Sequence, residues 1–425
     1  MACQESGIIN CMKFKLIPYL LFFALILADP IRAAGDRATW WDFQSIDTMK
    51  YSRDVAREKL KDSSFDATID LQVKNIAATG ATHVAIATPY DEEFIPFLTR
   101  WVNSARKYKL GVWFRGNFSG WENWFGYPDI SREEHLAKTK TFIIRNADLF
   151  QNGDVFTSCP ECENGGPGDP RQTGDIASHR QFLIDEFAAI QQLFRDMGKN
   201  VQANYFSMNG DVAKVIMDKG TTSALGGVVT IDHYVSTPQK LVKDIQSLAA
   251  KSGGQIVLGE FGAPIPDIHG TMSQDQQAKW LNDAFKLLVS MPELTGINYW
   301  TNVGGSTQLW TESYEPKKAV DIVTSYFFPK TAHGIIFDVF GSPVTGAHVS
   351  SSLKSVYSNS KGSFQLPYID SSSPLSVSAK GFVSQEYNNY SNDKKIEVYL
   401  QPTRKGILFR LKVLTFRLLG RRIWT

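Results

Sequence analysis

The sequence of 425 residues predicts an α/β fold, a (β/α)8 (TIM) barrel over residues 36–330, followed by a small all-β sandwich over residues 331–402. The first observation behind this is that eight short apolar runs alternate with helical stretches, the repeat expected of such a barrel. The second is that Ser, Gly, Val and Tyr with period-two patterning dominate after Pro329. A doubly wound open sheet is the competitor, but no Gly-rich dinucleotide loop follows the first strand.

The barrel strands and helices follow in order along the chain. The predicted strands are Thr39–Phe43, His83–Thr88, Gly111–Arg115, Asp154–Ser158, Val201–Phe206, Val228–Tyr234, Ile256–Glu260 and Ile297–Trp300. The predicted helices are Asp66–Thr79, Glu92–Tyr108, Arg132–Phe150, His179–Met197, Val212–Lys219, Pro238–Lys251, Ser273–Leu288 and Tyr314–Tyr326. Ser131 and Ser273 each precede a polar first turn and are predicted N-caps.

Composition narrows the function classes. Lys and Arg number 45 against 43 Asp and Glu, so the formal net charge is +2 and gives no electrostatic case for a nucleic-acid partner. Hydrophobic residues make up 43%, which is too many for a disordered chain. The 4 Cys cannot form a disulfide framework that replaces a core.

Residues 1–35 are predicted to be a targeting segment. Lys13 and Lys15 precede an unbroken apolar run over 16–28, about as long as the core of a signal peptide and short for a membrane span. The segment is either a signal peptide, cleaved near Ala28, Ala33 or Ala34, or an uncleaved N-terminal anchor. Both alternatives predict a secreted or cell-surface protein.

The predicted sandwich carries a repeating turn pattern. It contains Gly-x-Ile-x-Asp ending at Asp338, Gly-x-Pro-Val-x-Gly-Ala-x-Val ending at Val349, Gly-x-Phe ending at Phe364 and Gly-Phe ending at Phe382. Over about 70 residues this pattern resembles the carboxypeptidase regulatory-like, transthyretin-type module. The resemblance implies an accessory domain without catalytic residues.

The last segment, residues 403–425, is basic and amphipathic. It carries seven Lys or Arg and no Asp or Glu, interspersed with Ile, Leu, Val and Phe. As a helix it could lie on an anionic membrane surface. The alternative is a frayed tail or a segment packed on the sandwich.

Two carboxylates stand at the ends of predicted strands. Glu260 lies in Gly-Glu-Phe-Gly after the seventh strand, and Glu161 lies in Cys-Pro-Glu-Cys after the fourth. The carboxyl ends of barrel strands form the active face. Hydrolysis of a glycosidic bond needs one protonated and one charged carboxyl group, whose environments keep their pKa values apart.

On these motifs the barrel resembles the clan A glycoside hydrolases, the superfamily of family-5-like cellulases and mannanases. The resemblance implies that Glu161 is the acid/base and Glu260 the nucleophile of a retaining glycosidase that needs no metal or organic cofactor. It implies that His233 and Tyr234 face the nucleophile and that Trp300 forms the floor of a sugar subsite. The expected substrate is a β-linked oligo- or polysaccharide, with the two carboxyl groups roughly 5–5.5 Å apart.

The sequence departs from the clan pattern at several positions. Pro160 replaces the Asn expected before the acid/base, so Asn164 or Asn204 would have to bind the sugar 2-hydroxyl. The Arg expected on the second strand is missing, and Arg115 after the third strand could substitute for it. Glu163 is an alternative acid/base. These departures leave open a catalytically inactive, carbohydrate-binding or scaffold barrel.

Two tryptophans and two cysteines in loops near the predicted active face each allow more than one role. Trp121 and Trp124 lie in an aromatic loop after the third strand and are either sugar-stacking platforms or a hydrophobic plug. Cys159 and Cys162 bracket the proposed acid. They are either structural cysteines, a disulfide or free thiols, or a redox pair, or metal ligands together with His233.

Overall fold

The computed structural model describes residues 38–424, so the predicted leader over 1–35 lies outside the described residues. Eight parallel strands form one curled sheet in the order β4-β3-β2-β1-β8-β7-β6-β5. They are β1 Phe43–Asp47, β2 His83–Ile86, β3 Gly111–Phe114, β4 Val155–Phe156, β5 Ser207–Asn209, β6 Val228–Asp232, β7 Gln255–Phe261 and β8 Leu294–Tyr299. A parallel bridge between Val155 and Gln202 connects β4 to the segment that leads into β5. This arrangement confirms the predicted barrel.

Helices alternate with these strands. They are α1 Met49–Ser52, α2 Ala56–Lys59, α3 Asp66–Ala78, α4 Ile95–Lys107, α5 Ser119–Glu122, α6 Arg132–Arg145, α7 Pro170–Thr173, α8 Ile176–Asp196, α9 Gly210–Ile216, α10 Lys219–Ala224, α11 Pro238–Ser252, α12 Pro266–His269, α13 Gln274–Leu288 and α14 Lys318–Phe327. Ser131 and Ser273 form capping boxes with Glu134 and Gln276, which satisfy the first amides of α6 and α13.

Two strands lie further along the chain than the sequence predicts. The first was expected at Thr39–Phe43, but Trp40 and Trp41 are buried before β1 begins, and Trp41 packs against Phe285 and Phe327. Because Trp40 and Trp41 are apolar, the sequence pattern placed the strand too early in the chain. The fifth was expected at Val201–Phe206, but there Gln202 pairs with β4 and regular pairing with β6 begins only at Ser207.

The barrel interior is layered along its axis. One small cluster of buried residues joins strands from around the ring, namely Phe43, Ala85, Trp113, Val155, Tyr205 and Val257. The Arg115 guanidinium lies 5.3 Å from the centre of the Trp113 ring. Because Arg115 follows β3, the polar groups of the interior lie toward the carboxyl ends of the strands and rest on this apolar layer.

The chain after the barrel forms a small all-β domain. A four-stranded sheet has the order β11-β10-β13-β14, and a three-stranded sheet has the order β12-β9-β15. The strands are β9 Lys330–Asp338, β10 His348–Ser350, β11 Ser355–Tyr357, β12 Ser363–Tyr368, β13 Leu375–Ser378, β14 Gln385–Tyr387 and β15 Ile396–Leu400. Both sheets contribute to one buried cluster that includes Ile336, Val349 and Leu366. The ammonium of Lys354 donates to the Trp40 carbonyl (2.6 Å) and so connects this domain to the barrel.

The basic segment at the end forms a helix, α15 Ile407–Leu418. Its Phe409 and Phe416 contact Phe340 of the sandwich, while several leucines point away from the protein. Within residues 38–424, no helix combines the length and apolarity needed to cross a bilayer.

Candidate active site

A single guanidinium organises the carboxyl end of the barrel. Arg115, which is 1% exposed, donates from Nη1 to Asp47 (3.0 Å) and Glu260 (2.7 Å). Its Nη2 donates to Asp232 (2.5 Å) and to the Ser207 hydroxyl (3.1 Å). The residues belong to β1, β5, β6 and β7 or follow β3, so five parallel strands deliver one polar cluster because their carboxyl ends meet.

In this cluster acidic groups outnumber basic ones, since three carboxyl groups surround the single cation of Arg115. Burial is the largest influence on Asp47 and Asp232 and raises the pKa of both, although Arg115 lowers them. The same three carboxyl groups outweigh the burial of Arg115 and raise its pKa well above the ordinary value. The guanidinium therefore stays charged.

Glu260 is held at both carboxylate oxygens. Oε1 accepts from Arg115, and Oε2 accepts from the Tyr234 hydroxyl at 2.8 Å. Burial, followed by the charge of Glu260, raises the pKa of Tyr234 well above its ordinary value, so the phenol keeps its proton and donates it to this bond. A cation and a neutral donor on one carboxylate stabilise its charged form and fix its orientation.

Glu161 lies beside Glu260 in a different environment. Its backbone is left-handed (φ 45°), its amide donates to the Ser207 carbonyl (2.8 Å), and its Oε2 accepts from Asn164 Nδ2 (3.1 Å). Burial raises the pKa of Glu161 to about 8, and the charge of Glu260 adds to this more than Arg115 offsets it. Near pH 7, Glu161 is therefore mostly protonated and neutral.

Solved glycoside hydrolase structures share the barrel fold of this chain. GH5_18 from Streptomyces cattleya in complex with GlcNAc matches with a TM-score of 0.50 and 16% identity, over 71% of this chain and 85% of that chain. A GH5_18 variant from Bifidobacterium longum subsp. longum in complex with Manβ1-4GlcNAc matches with a TM-score of 0.51 and 15% identity, over 72% and 86%. No family model and no curated protein sequence matches this chain.

The chain also matches parts of larger enzymes. An FMN-binding β-glucuronidase from Facaelibacterium prausnitzii L2-6 (TM-score 0.45, 11% identity) is matched over 81% of this chain but 54% of that chain. A β-D-glucuronidase from Dictyoglomus thermophilum (TM-score 0.47, 14% identity) is matched over 69% and 51%. The chain thus spans about half the length of these two enzymes.

The alternative acid, Glu163, has a structural position behind the pair. It is 4% exposed, and its Oε1 accepts the Asn209 amide at 2.6 Å, which ties the loop to β5. Burial raises the pKa of Glu163 to about 7, but the charges that act on it belong to Asp169 and Arg171. The charge of Glu260 instead raises the pKa of Glu161.

Two tryptophans flank the site with partly exposed rings. Trp300 follows β8, and its ring lies 6.1 Å from that of Tyr234 in an edge-to-face arrangement. The ammonium of Lys50 lies 6.0 Å from the Trp300 ring. Trp124 carries the Arg53 guanidinium 4.7 Å above its ring. Flat aromatic faces next to charged side chains suit the apolar face and the hydroxyl rim of a pyranose.

The structure contradicts the prediction that Trp121 stacks on a sugar. It is 1% exposed, it stacks on Phe182 at 5.2 Å, and its Nε1 donates to the Cys162 carbonyl at 3.1 Å. Its ring also meets His135 edge-on. A buried ring cannot stack on a sugar. Of the two alternatives that the sequence leaves open, Trp121 is therefore the hydrophobic plug, and it supports the loop that carries Glu161.

The side chains of Asn204 and His233 bond to partners other than Glu161 and Glu260. Asn204 donates to the Gly226 carbonyl (3.3 Å), which precedes β6, so it lies at the amino end of the barrel and cannot replace the missing Asn. The prediction failed because β5 begins later than expected. His233 contacts Glu260 through its backbone, since its amide donates to the Glu260 carbonyl (2.9 Å), whereas its Nε2 pairs with Asp244 of α11 at 2.9 Å. Its main chain thus helps to position Glu260, and its side chain ties the β6 loop to α11.

Cys159 and Cys162 form a disulfide, and both are buried. A metal site at these positions would need free thiolates, whereas these sulfurs are bonded to each other. The redox alternative stays a prediction, because a disulfide is also the oxidised form of such a pair. The bridge closes the four-residue loop that holds Glu161 in its left-handed conformation. It therefore constrains the backbone at the proposed acid.

Sequence reasoning missed part of the cluster. Asp232, Ser207 and Asn298 received no site role, although Asp232 and Asn298 are buried at the ends of apolar strands, and Asn298 donates to Asp47 (3.3 Å). Asp232 ends an apolar strand, and a buried charge needs partners, so this pattern could have pointed to Asp232. Glu122 was also missed; burial raises its pKa to about 7, and it accepts from Asn117 (2.5 Å).

Proposed function

We propose that this protein is a retaining glycosidase that hydrolyses a β-linked oligo- or polysaccharide. The observation that carries the proposal is the pairing of an oriented carboxylate with a neutral acid: Glu260 accepts from Arg115 and Tyr234, whereas burial and the charge of Glu260 raise the pKa of Glu161 to about 8. Two carboxyl groups in these opposite states are the minimum machinery for double displacement.

In the first step, a carboxylate oxygen of Glu260 attacks the anomeric carbon. The bond from that carbon to the leaving oxygen breaks, and the leaving oxygen takes the proton of Glu161. In the second step, water attacks the same carbon, Glu161 accepts the proton of the water, and the ester to Glu260 breaks. The hydrogen bond from Tyr234 to Oε2 and that from Arg115 to Oε1 hold the nucleophile in line.

The proposed binding residues surround this pair. Trp300 supplies the floor of the subsite at the cleaved bond, and Trp124 supplies a second aromatic face further out. Asn164, which is exposed and donates to Glu161, is the remaining candidate for a polar contact to the sugar. The GH5_18 complex with Manβ1-4GlcNAc supports including β-mannosides and that disaccharide among the substrates tested.

The test is a panel of aryl β-glycosides and Manβ1-4GlcNAc, with wild type and Glu260→Gln. Wild type is expected to release product, and Glu260→Gln is expected to lose turnover because an amide is a poor nucleophile. A 2-fluoro glycoside should trap a glycosyl ester on Glu260, detected as a mass increase on the peptide that contains it. Binding of these sugars without cleavage by wild type would favour the inactive, carbohydrate-binding alternative.

We also propose that the protein acts outside the cytoplasm. The Cys159–Cys162 disulfide supports this, because such bonds persist in oxidising compartments. Fractionation of the producing cells, followed by alkylation with and without reductant, tests it. Cytoplasmic protein with two reactive thiols at these positions would contradict the proposal.

A further inference from the structure

The helix α15 has one face fixed to the sandwich. Phe409 and Phe416 lie on either side of Phe340, with ring centres 5.4 Å and 5.0 Å from it. Beyond the helix, the Trp424 ring stacks on Tyr399 at 4.2 Å, and the Trp424 amide donates to the Val339 carbonyl (3.0 Å). These contacts at both ends determine which side of the helix faces outward.

The outward side is apolar. Ile407, Leu411, Leu414 and Leu418 follow the spacing i, i+4, i+7, i+11 and share one face, with Leu408 and Leu419 beside them. We call these six residues the outward stripe; they are between 54% and 83% exposed. Six of the thirteen exposed large hydrophobic side chains found within residues 38–424 thus lie on this one helix and its last turn. A contiguous apolar patch of this kind marks an interaction surface.

The charge of the segment identifies the occupant. Residues 403–425 carry no Asp or Glu. The basic residues of the segment are Arg404, Lys405, Arg410, Lys412, Arg417, Arg421 and Arg422. A second copy of this chain docked on the stripe would bring two sets of like charges together without a partner. An anionic lipid surface would meet the leucines with acyl chains and the cations with phosphates.

We propose that α15 binds the surface of an anionic lipid bilayer, with the outward stripe below the headgroups and basic side chains of the segment among the phosphates. Lys412 is not one of them, because its ammonium lies 4.0 Å from an Asp338 oxygen and 4.2 Å from the Phe340 ring centre of the sandwich. A helix of 12 residues is about 18 Å long, so it lies in the interface and does not span a core of about 30 Å. Because Phe340 holds the opposite face, the sandwich would hold the barrel at the membrane surface.

The first test is vesicle co-sedimentation of the full chain. Vesicles of equimolar phosphatidylglycerol and phosphatidylcholine are compared with pure phosphatidylcholine. Leu411→Ser/Leu414→Ser/Leu418→Ser is expected to weaken binding to the anionic vesicles at least about tenfold, because it removes the apolar area that enters the interface. The matched control carries three exposed apolar changes elsewhere, namely Leu71→Ser, Ile144→Ser and Ile268→Ser, and should bind as wild type does.

The predicted leader is also apolar, so a local probe is needed. An environment-sensitive dye is placed at Leu414→Cys in a chain that carries Cys3→Ser and Cys11→Ser, with Ser360→Cys as the matched site on the sandwich. Brominated lipids should quench the dye at 414 and leave the dye at 360 unchanged.

Three outcomes would overturn the proposal. The dye at 414 stays unquenched on pelleted protein, which means that another segment holds the membrane. The serine variant binds as tightly as wild type. Sedimentation velocity without lipid finds a wild-type dimer that the serine variant loses, which assigns the stripe to a second copy.

Discussion

Glu161→Gln is the substitution that tests the proposed mechanism most directly. Gln keeps the size of the side chain and the acceptor for Asn164 but carries no transferable proton. General acid catalysis contributes about 10²–10⁴-fold, so hydrolysis of a substrate with a poor leaving group should fall by that factor, or about 3–6 kcal/mol in barrier. A dinitrophenyl glycoside, whose leaving group needs no proton, should still form the glycosyl ester.

The pH dependence of activity tests the role of Glu161 independently. With the pKa of Glu161 raised to about 8, wild type should lose activity as the pH rises through that value. Its acid would be about nine-tenths protonated at pH 7 and about one-eleventh at pH 9, a loss of roughly tenfold. Glu161→Gln has no such group, so the decline near pH 8 should disappear from its residual activity toward the substrate with the poor leaving group.

Steady-state rates from pH 5 to 10 measure both effects, and Glu163→Gln is the matched control. The control keeps an oxygen for the Asn209 amide, so it should retain the wild-type profile. Azide should restore turnover of Glu161→Gln on the dinitrophenyl substrate, because it attacks without a base. The assignment of the acid is refuted when Glu163→Gln, and not Glu161→Gln, loses the alkaline decline and responds to azide.

The same pKa shift predicts how stability depends on pH. The folded state binds the Glu161 proton more tightly than an ordinary carboxyl group of pKa 4.5, so the stabilisation is complete below that value. It is lost as the pH rises from about 4.5 to about 8. Glu161→Gln lacks this titration, so its melting temperature relative to wild type should increase from pH 5 to pH 8. A difference that is constant with pH would contradict the burial argument.

Three further substitutions probe the groups around the pair. Tyr234→Phe removes the 2.8 Å donor to Glu260 and should lower kcat about ten- to hundredfold with an unchanged melting temperature; an unchanged kcat would contradict its role. Arg115→Met leaves three buried carboxyl groups without their cation and should lower the free energy of unfolding by about 3–5 kcal/mol, measured in urea. Reduction of Cys159–Cys162 should cost about 2 kcal/mol and slow turnover while the circular dichroism of the barrel persists; full activity with both thiols alkylated would contradict the role of the bridge.

The sequence by itself determined the repeating architecture and the location of the chemistry along the chain. Apolar runs alternate with capped helices along the chain, and this alternation specifies eight strand–helix units. The periodicities of strands and helices can be read from the sequence because each depends only on neighbouring residues. Glu161 and Glu260 stand after the fourth and seventh runs, so both belong to the carboxyl face once the ring closes. The sequence also shows the spacing of the apolar stripe and the positive charge of the final segment.

Only the tertiary structure decided which side chains meet. Arg115 and Glu260 are 145 residues apart, and no periodicity specifies that one guanidinium gathers Asp47, Asp232 and Glu260. Trp121 and Trp124 are alike in sequence, yet packing from α8 buries the first and leaves the second partly exposed. Burial and distant neighbours set these differences, and both arise only when strands far apart in sequence close into one ring.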